Sequence, residues 1–316
     1  MNNPKVTVLM SVYNGERFLD ESVESILNQS FTDFEFLIIN DGSTDSSQSI
    51  LDNYVKQDPR IKLINQDNIG LSESLQKGIS NSRGELIARQ DAGDLSAYER
   101  LEKQVNAFEF NNELGLIGSY AAVVTSENKE VGLIEYPTDN LKIQEKLIDY
   151  NCFCHGSVMF KKNCLKDTGS IRPEFKYSQD YDLWLRIAEK YDVTNLAQPL
   201  YKLRFLASSL TFANRYEQYK YSQFAKNLAI KRRNETDNVI KSNNEIDDLR
   251  AFANEEFQEN KKSLREKRDL SNDYLYWGDI LLKGGEIKSS RKLLFEAVSS
   301  NPFNFRAWSS LFHSYL

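Results

Sequence analysis

Cysteine is scarce: Cys152, Cys154 and Cys164 are the only three in 316 residues. An odd, clustered set offers no disulfide framework and fits a reducing compartment. Cys152, Cys154 and His155 make a poor zinc set without a second Cys/His cluster, so buried structural thiols are expected. The chain has two histidines and no nucleophile-elbow pattern, which removes a Ser-His-Asp hydrolase. Six prolines leave no room for a Pro-rich linker. No apolar run approaches the ~18 residues of a spanning helix. The apolar stretch 6–12 is too short for a signal peptide and lacks a small-residue cleavage site, so a cytosolic protein is expected. No Gly-x-Gly-x-x-Gly or Walker pattern supports a nicotinamide or P-loop site. The net charge of −6 argues against a nucleic-acid partner.

What is present begins with alternation. Residues 6–12 form a near-continuous apolar run, as in a strand buried on both faces. Phe18, Leu19, Val23, Ile26 and Leu27 then recur at helical spacing. Strands at 34–39, 61–64 and 86–88 follow, separated by helices ending near 56 and spanning 71–82. Such alternation specifies an α/β fold with a mostly parallel sheet and right-handed crossovers. Open sheets of this kind bind ligands beyond the carboxyl ends of their strands. Polar residues stand at those ends: Tyr13 and Asn14, Asp41 to Ser43, Gln66 to Asn68, and Asp91 to Asp94.

Between 114 and 205 the pattern is mixed. It predicts strands at 116–119, 121–125, 157–160 and 193–196, with helices at 141–149 and 180–190. After about 211 the chain reads as helical. Tyr274, Trp277, Gly278, Gly285, Leu294, Ala297 and Pro302 stand at spacings that resemble one tetratricopeptide repeat, about residues 270–304. Basic residues crowd 202–233, eight against Glu217 alone, which suggests either a solvated helix face or a surface for anionic membrane.

Four motifs occur in order: residues 8–15 (Val-Leu-Met-Ser-Val-Tyr-Asn-Gly), 39–45 (Ile-Asn-Asp-Gly-Ser-Thr-Asp), 89–94 (Arg-Gln-Asp-Ala-Gly-Asp) and 179–186 (Gln-Asp-Tyr-Asp-Leu-Trp-Leu-Arg). Together they resemble the family 2 inverting glycosyltransferases of GT-A fold, over about residues 4–206. The resemblance implies a GT-A domain at 1–206 and a helical region at 207–316. It also implies transfer of a hexose from a nucleoside diphosphate sugar, with UDP as the expected nucleotide, to an acceptor hydroxyl. The acceptor would be a glycan, glycolipid or glycoprotein of bacterial surface assembly. The helical tail would then meet a membrane, placing the enzyme on its inner face, or a protein partner. A non-catalytic nucleotide-sugar binder or scaffold is the alternative.

The resemblance also distributes roles. Asp41 accepts an N–H of the base, or else caps the next helix. Tyr13 stacks beside the base, or else fills the core. Ser11, Ser43 and Asn68 complete the nucleotide contacts, and Arg89 positions the acidic segment. Asp91 and Asp94 hold Mn2+ or Mg2+ against the diphosphate. Here the sequence departs from the family, since Gly93 stands where a second Asp is usual. His155 lies near the diphosphate, or else is a satisfied structural histidine. Asp180 is the general base, and Asp182, about 200° further round the helix, points elsewhere. Arg186 and Arg204 could neutralise phosphate, although an arginine on a helix face is usually solvated.

Overall fold

The computed structural model describes residues 3–205, 214–234, 241–253 and 263–315. The expected domain boundary at 206/207 lies outside the described residues. The chain forms two compact units. The first comprises residues 1–121, 135–203 and 221–253, and the second 122–134, 204–220 and 254–316.

The first unit opens with β1 (Val6–Val12), α1 (Leu19–Leu27), β2 (Phe34–Asp41), α2 (Ser47–Gln57), β3 (Ile61–Gln66), α3 (Leu71–Asn81) and β4 (Leu86–Asp91). Strands β3, β2, β1 and β4 lie side by side and parallel. β1 and β2 read as apolar runs because both of their faces are covered: β2 is buried along its whole length, whereas β3 at the sheet's end is only partly buried. Burying each Val, Leu or Ile side chain of β1 and β2 contributes about 1.5–3 kcal/mol. Then follow β5 (Leu95–Ser96), α4 (Arg100–Phe110), β6 (Leu114–Val124), β7 (Glu130–Ile134), α5 (Asn140–Lys146), β8 (Met159–Lys161), α6 (Cys164–Thr168), α7 (Gln179–Ala188) and β9 (Asp192–Arg204). β8 runs antiparallel to β4 and β6, and β5 antiparallel to β9.

Where the sequence suggests two strands at 116–119 and 121–125, one strand, β6, runs through. A Cβ at Gly118 would collide with Asn195, so the glycine there serves close packing.

Helices α8 (Arg215–Asn234), α9 (Lys241–Ala253), α10 (Leu264–Gly284), α11 (Ile287–Ser300) and α12 (Phe305–His313) complete the described chain. In the second unit, α10 starts with a capping box, Ser263 and Glu266, and ends at Gly285, whose φ of 85° suits the left-handed C-cap. A side chain at Gly278 would strike Leu294, so α10 and α11 approach closely where the repeat spacing places its small residue. Leu281, Leu293, Trp277 and Phe205 form one apolar cluster with Val123 of this unit.

The basic stretch 202–233 does not present a free cationic face. Arg215 pairs with Asp273, Lys220 with Glu266 at 2.9 Å, Lys226 with Asp149 at 3.5 Å, and Arg232 with Glu189 and Glu245 at 2.8 and 3.2 Å. Lys231 and Arg233 stay exposed at the end of the stretch.

All three thiols are free and buried. Burial pushes Cys152 up to about 12 and Cys164 to about 11, and Cys154 higher still. The thiolate is the reactive form. Native protein at mildly alkaline pH is therefore expected to leave all three unmodified by Ellman's reagent, with stoichiometric labelling only on denaturation. Rapid labelling of the native protein would show an accessible thiolate.

Candidate active site

The carboxyl ends of β2, β1 and β4 lie in register. Ser11 of β1 sits opposite Asp91 of β4 on one side and Ile39 of β2 on the other. The loops after β1 and β2 are sewn together. Asn14 N–H donates to Ser43 Oγ (3.0 Å), Gly15 N–H to Ser47 Oγ (2.9 Å) and Thr44 N–H to Asn14 Oδ1 (2.8 Å). Asn14 has a φ of 51°, a left-handed conformation that asparagine tolerates better than most residues. Ser43 is thus committed to the loop. Tyr13, beside it, stands 53% exposed, so its ring is free to stack and does not fill the core.

Asp41 is buried, and its carboxylate organises the neighbouring turn. Oδ1 accepts from Gln66 Nε2 (2.7 Å) and Ile69 N–H (2.9 Å), and Oδ2 from Gly70 N–H (2.9 Å). A carboxylate offers about four lone-pair positions, so one remains for an incoming N–H. Asn68 is exposed at the tip of this turn. Gly42 (φ 72°) faces it so closely that a Cβ would meet the Asn68 backbone nitrogen at 2.6 Å.

Arg89 is the centre of the second cluster. Its guanidinium is 1% exposed. It donates from Nη1 to the Leu9 carbonyl, from Nη2 to Asp91 Oδ1 (2.7 Å) and from Nε to His155 Nε2 (3.2 Å). Because His155 Nε2 accepts, the neutral ring carries its proton on Nδ1, which lies 3.7 Å from Asp91 Oδ2. Arg89, Asp91 and His155, expected separately from sequence, are one assembly.

Asp94 lies behind it, buried, with Oδ2 accepting from the Tyr201 hydroxyl (3.0 Å). The same hydroxyl accepts from Asp91 N–H (3.1 Å). Tyr201 and Arg100 were not legible as site residues. Tyr201 arrives through the β5–β9 pairing, opposite Ser96. Arg100, fully buried, donates to the carbonyls of Arg89 (2.9 Å) and Gly156 (2.6 Å), and burial pushes its guanidinium down to about 10. A charged residue on the inward face of α4 was the one available signal.

Among the described residues no group of three or more His, Cys, Asp or Glu side chains is placed to hold a metal ion. The Asp91 side chain is 32% exposed, and at Gly93 (φ 103°) an added Cβ would meet nothing within 4 Å. This single open carboxylate beside free space fits a hard cation that takes most of its oxygens from phosphate and water, as Mg2+ does.

Asp180 occupies the first turn of α7, half-buried, with Oδ2 accepting from Asn151 Nδ2 (3.0 Å). Asn151 is four residues before His155. The loop leading to α7 is fastened to the start of α3 by Ser72 Oγ–H to the Phe175 carbonyl (2.6 Å). Both anchors bring the start of α7 to the carboxyl edge. Ser178, just before it, has a φ of 56°, costly for a residue other than Gly, Asn or Asp.

Asp182 turns the other way, fully buried. It pairs with Arg186 (2.7 Å) and faces Arg172 (3.5 Å). Neither Arg186 nor Arg204 is solvated, contrary to the expectation from sequence. Arg186 also donates to the Thr168, Gly169 and Ser170 carbonyls, and Arg204 to those of Thr125 and Ser126. A cavity of about 710 Å³ beside this network, lined by Arg172, Arg186, Arg232 and Glu245 among others, contains none of the expected donor-binding residues.

Residues 7–169, just over half of the chain, match the model of glycosyl transferase family 2. The chain belongs to glycosyl transferase family 2. Residues 215–315 of this glycosyltransferase match a second model, anaphase promoting complex subunit 8 / Cdc23, in line with the repeat-like α10–α11 hairpin. An uncharacterized glycosyltransferase of Haemophilus influenzae is 31% identical over 229 residues, covering 69% of this chain and 70% of that protein. The O-antigen biosynthesis glycosyltransferase WbnJ of Escherichia coli is 34% identical over 183 residues, covering 58% and 71%. Among solved structures, S. aureus TarS 1-349 with UDP-GlcNAc superposes with a TM-score of 0.62 at 16% identity, covering 98% and 89% of the two chains. The mannosyltransferase PcManGT from Pyrobaculum calidifontis, with GDP-Man and Mn2+, gives 0.57 at 15%, covering 99% and 85%. Both share the GT-A-like fold of this glycosyltransferase.

Burial pushes the Asp182 carboxyl up, but Arg186 and Arg172 outweigh it and hold it below the usual carboxylate range. A depressed pKa contributes stability above the unfolded value, near 3.8, that is lost as pH falls through the folded one. Asp182→Ala strands two buried arginines and is expected to cost about 3–5 kcal/mol at neutral pH. In urea unfolding, the gap to wild type is expected to narrow as pH falls from about 4, where the unfolded carboxylate takes up its proton, through the lower folded value. A gap that stays constant with pH would exclude the ionised pair as its source.

Proposed function

We propose that this glycosyltransferase moves a hexose from a nucleoside diphosphate sugar, UDP-linked, to an acceptor hydroxyl with inversion, in surface polysaccharide or glycoconjugate assembly. The observation that carries the reading is the Arg89–Asp91–His155 assembly at the edge of β4, in register with Ser11. The nucleotide base rests against Tyr13 and takes the remaining acceptor position of Asp41, while Asn68 and the turn after β3 border it. His155 offers its Nδ1–H to the diphosphate. A divalent cation, when bound, offsets the charge of the leaving group, and Asp91 is the carboxylate offered to it, with Asp94 holding the turn from behind.

Asp180 serves as general base. It takes the proton of the acceptor hydroxyl as that oxygen bonds to the anomeric carbon. The bond from that carbon to the diphosphate breaks on the opposite face, and its electron pair leaves with the nucleotide. Asn151 holds the carboxylate in place through Oδ2 and leaves Oδ1 for the proton. The relatives' names support the polysaccharide setting, among them WbnJ and the amylovoran biosynthesis glycosyltransferase AmsE of Erwinia amylovora, 30% identical over 202 residues. The acceptor is a glycan, glycolipid or glycoprotein. The C-terminal helices carry the enzyme to a membrane face or a protein partner.

Asp180→Asn is expected to lower kcat by about 10²–10⁴-fold while leaving the Kd for the nucleotide sugar within about twofold, read by product formation and calorimetry. A variant with wild-type kcat would remove Asp180 from this role. Equal losses in donor affinity and turnover would make it a donor ligand.

A further inference from the structure

The last helix carries a stripe of exposed aromatic rings. Phe305, Trp308 and Phe312 are 80%, 49% and 68% exposed, and at 100° per residue they fall within about 60° of one another around α12. Ala307, on the opposite side, is buried against α10 and α11. Phe303 precedes the stripe at 82% exposure. The neighbouring face of α11 continues it: the Arg291 guanidinium lies 4.0 Å from the centre of the Tyr315 ring, and Phe295, one turn on from Arg291, is 62% exposed. Monomeric surfaces scatter single apolar residues but seldom gather this many large rings on one face.

The charge around the stripe selects its occupant. Residues 287–315 carry Lys288, Arg291, Lys292 and Arg306 against Glu296 alone, in a chain whose net charge is −6. Lys288, Lys292 and Arg306 are exposed. A second copy seated on this face through a two-fold axis would set these cations against their own equivalents. Rings of Phe and Trp flanked by Lys and Arg suit a bilayer surface. There the rings enter the boundary between headgroups and acyl chains while the cations stay among anionic headgroups.

We infer that Phe295, Phe303, Phe305, Trp308 and Phe312 form the surface by which this enzyme lies on an anionic lipid bilayer. This deepens the membrane side of the function proposed above. It also moves the contact from the internally paired stretch 202–233 to the end of the helical tail.

The test is flotation of the full chain with vesicles of phosphatidylcholine containing phosphatidylglycerol, with pure phosphatidylcholine vesicles as the neutral arm. Wild type is expected to float with the anionic vesicles at least about tenfold better than with the neutral ones, and less so as salt is raised. The triple variant Phe305→Ser/Trp308→Ser/Phe312→Ser is expected to lose about tenfold or more of that binding with its melting temperature retained, since all three rings are exposed. Lys288→Gln/Lys292→Gln/Arg306→Gln is expected to abolish the preference for the anionic arm. Wild type that fails to float, or a triple variant that floats as well as wild type, overturns the inference. So does a wild-type dimer that the triple variant converts to monomer, because the stripe would then belong to a second copy. Sugar transfer to a soluble acceptor, assayed on the same proteins, separates the two readings. Lost flotation with intact transfer leaves catalysis standing, and stripe-dependent flotation without transfer leaves the surface standing.

Discussion

A buried guanidinium organises the candidate site of this glycosyltransferase. Taking the Arg89 cation out of water is costly unless every direction it donates in meets an acceptor. The fold supplies three: the Leu9 carbonyl of the adjacent parallel strand, the Asp91 carboxylate and the His155 ring. Satisfying the cation therefore orients both groups at the mouth of the site and sets the histidine tautomer. The support is layered. Arg100 holds the Arg89 carbonyl from beneath, and the Tyr201 hydroxyl bridges the Asp91 amide and the Asp94 carboxylate. Polar groups this deep rigidify a site when partners meet them, and here the partners of Asp91 and Asp94 come from distant parts of the chain.

β1 and β2 were legible because strands buried on both faces read as uninterrupted apolar runs, and all four parallel strands because polar residues mark their carboxyl ends. Asp41, Asp91 and Asp180 were legible for the same reason, each lying at a predicted strand end or helix start. The partners that define their geometry were not. Asn151 meets Asp180 across 29 positions of sequence, and Tyr201 meets Asp94 across 107. Neither residue type nor local period marks such encounters. Arg186 and Arg204 were misread because a charged residue in an amphipathic pattern usually faces water, whereas here clustered backbone carbonyls receive them. The tail was read correctly in kind. Gly278 and Gly285 stand where close packing and a left-handed cap require them.

Two acidic residues on α7 illustrate a division of labour set by helical geometry. Asp180 faces Asn151 at the edge of the sheet, while Asp182 is sealed among arginines. The second anchors the helix through its ion pairs, and the first, half-buried, is the one proposed as general base. The turn before them, with Ser178 in the left-handed region, is held by the fastening of Phe175 to α3. The start of α7 is thus fastened toward the same edge that carries the Arg89–Asp91–His155 cluster and the loops after β1 and β2.

The most direct test is a crystal structure of the protein with UDP and Mn2+. The account expects the base against Tyr13 and Asp41, and the diphosphate within hydrogen-bonding distance of His155, with the cation between it and Asp91. A nucleotide bound away from the ends of β1, β2 and β4, or a diphosphate that touches neither His155 nor a cation at Asp91, would contradict it.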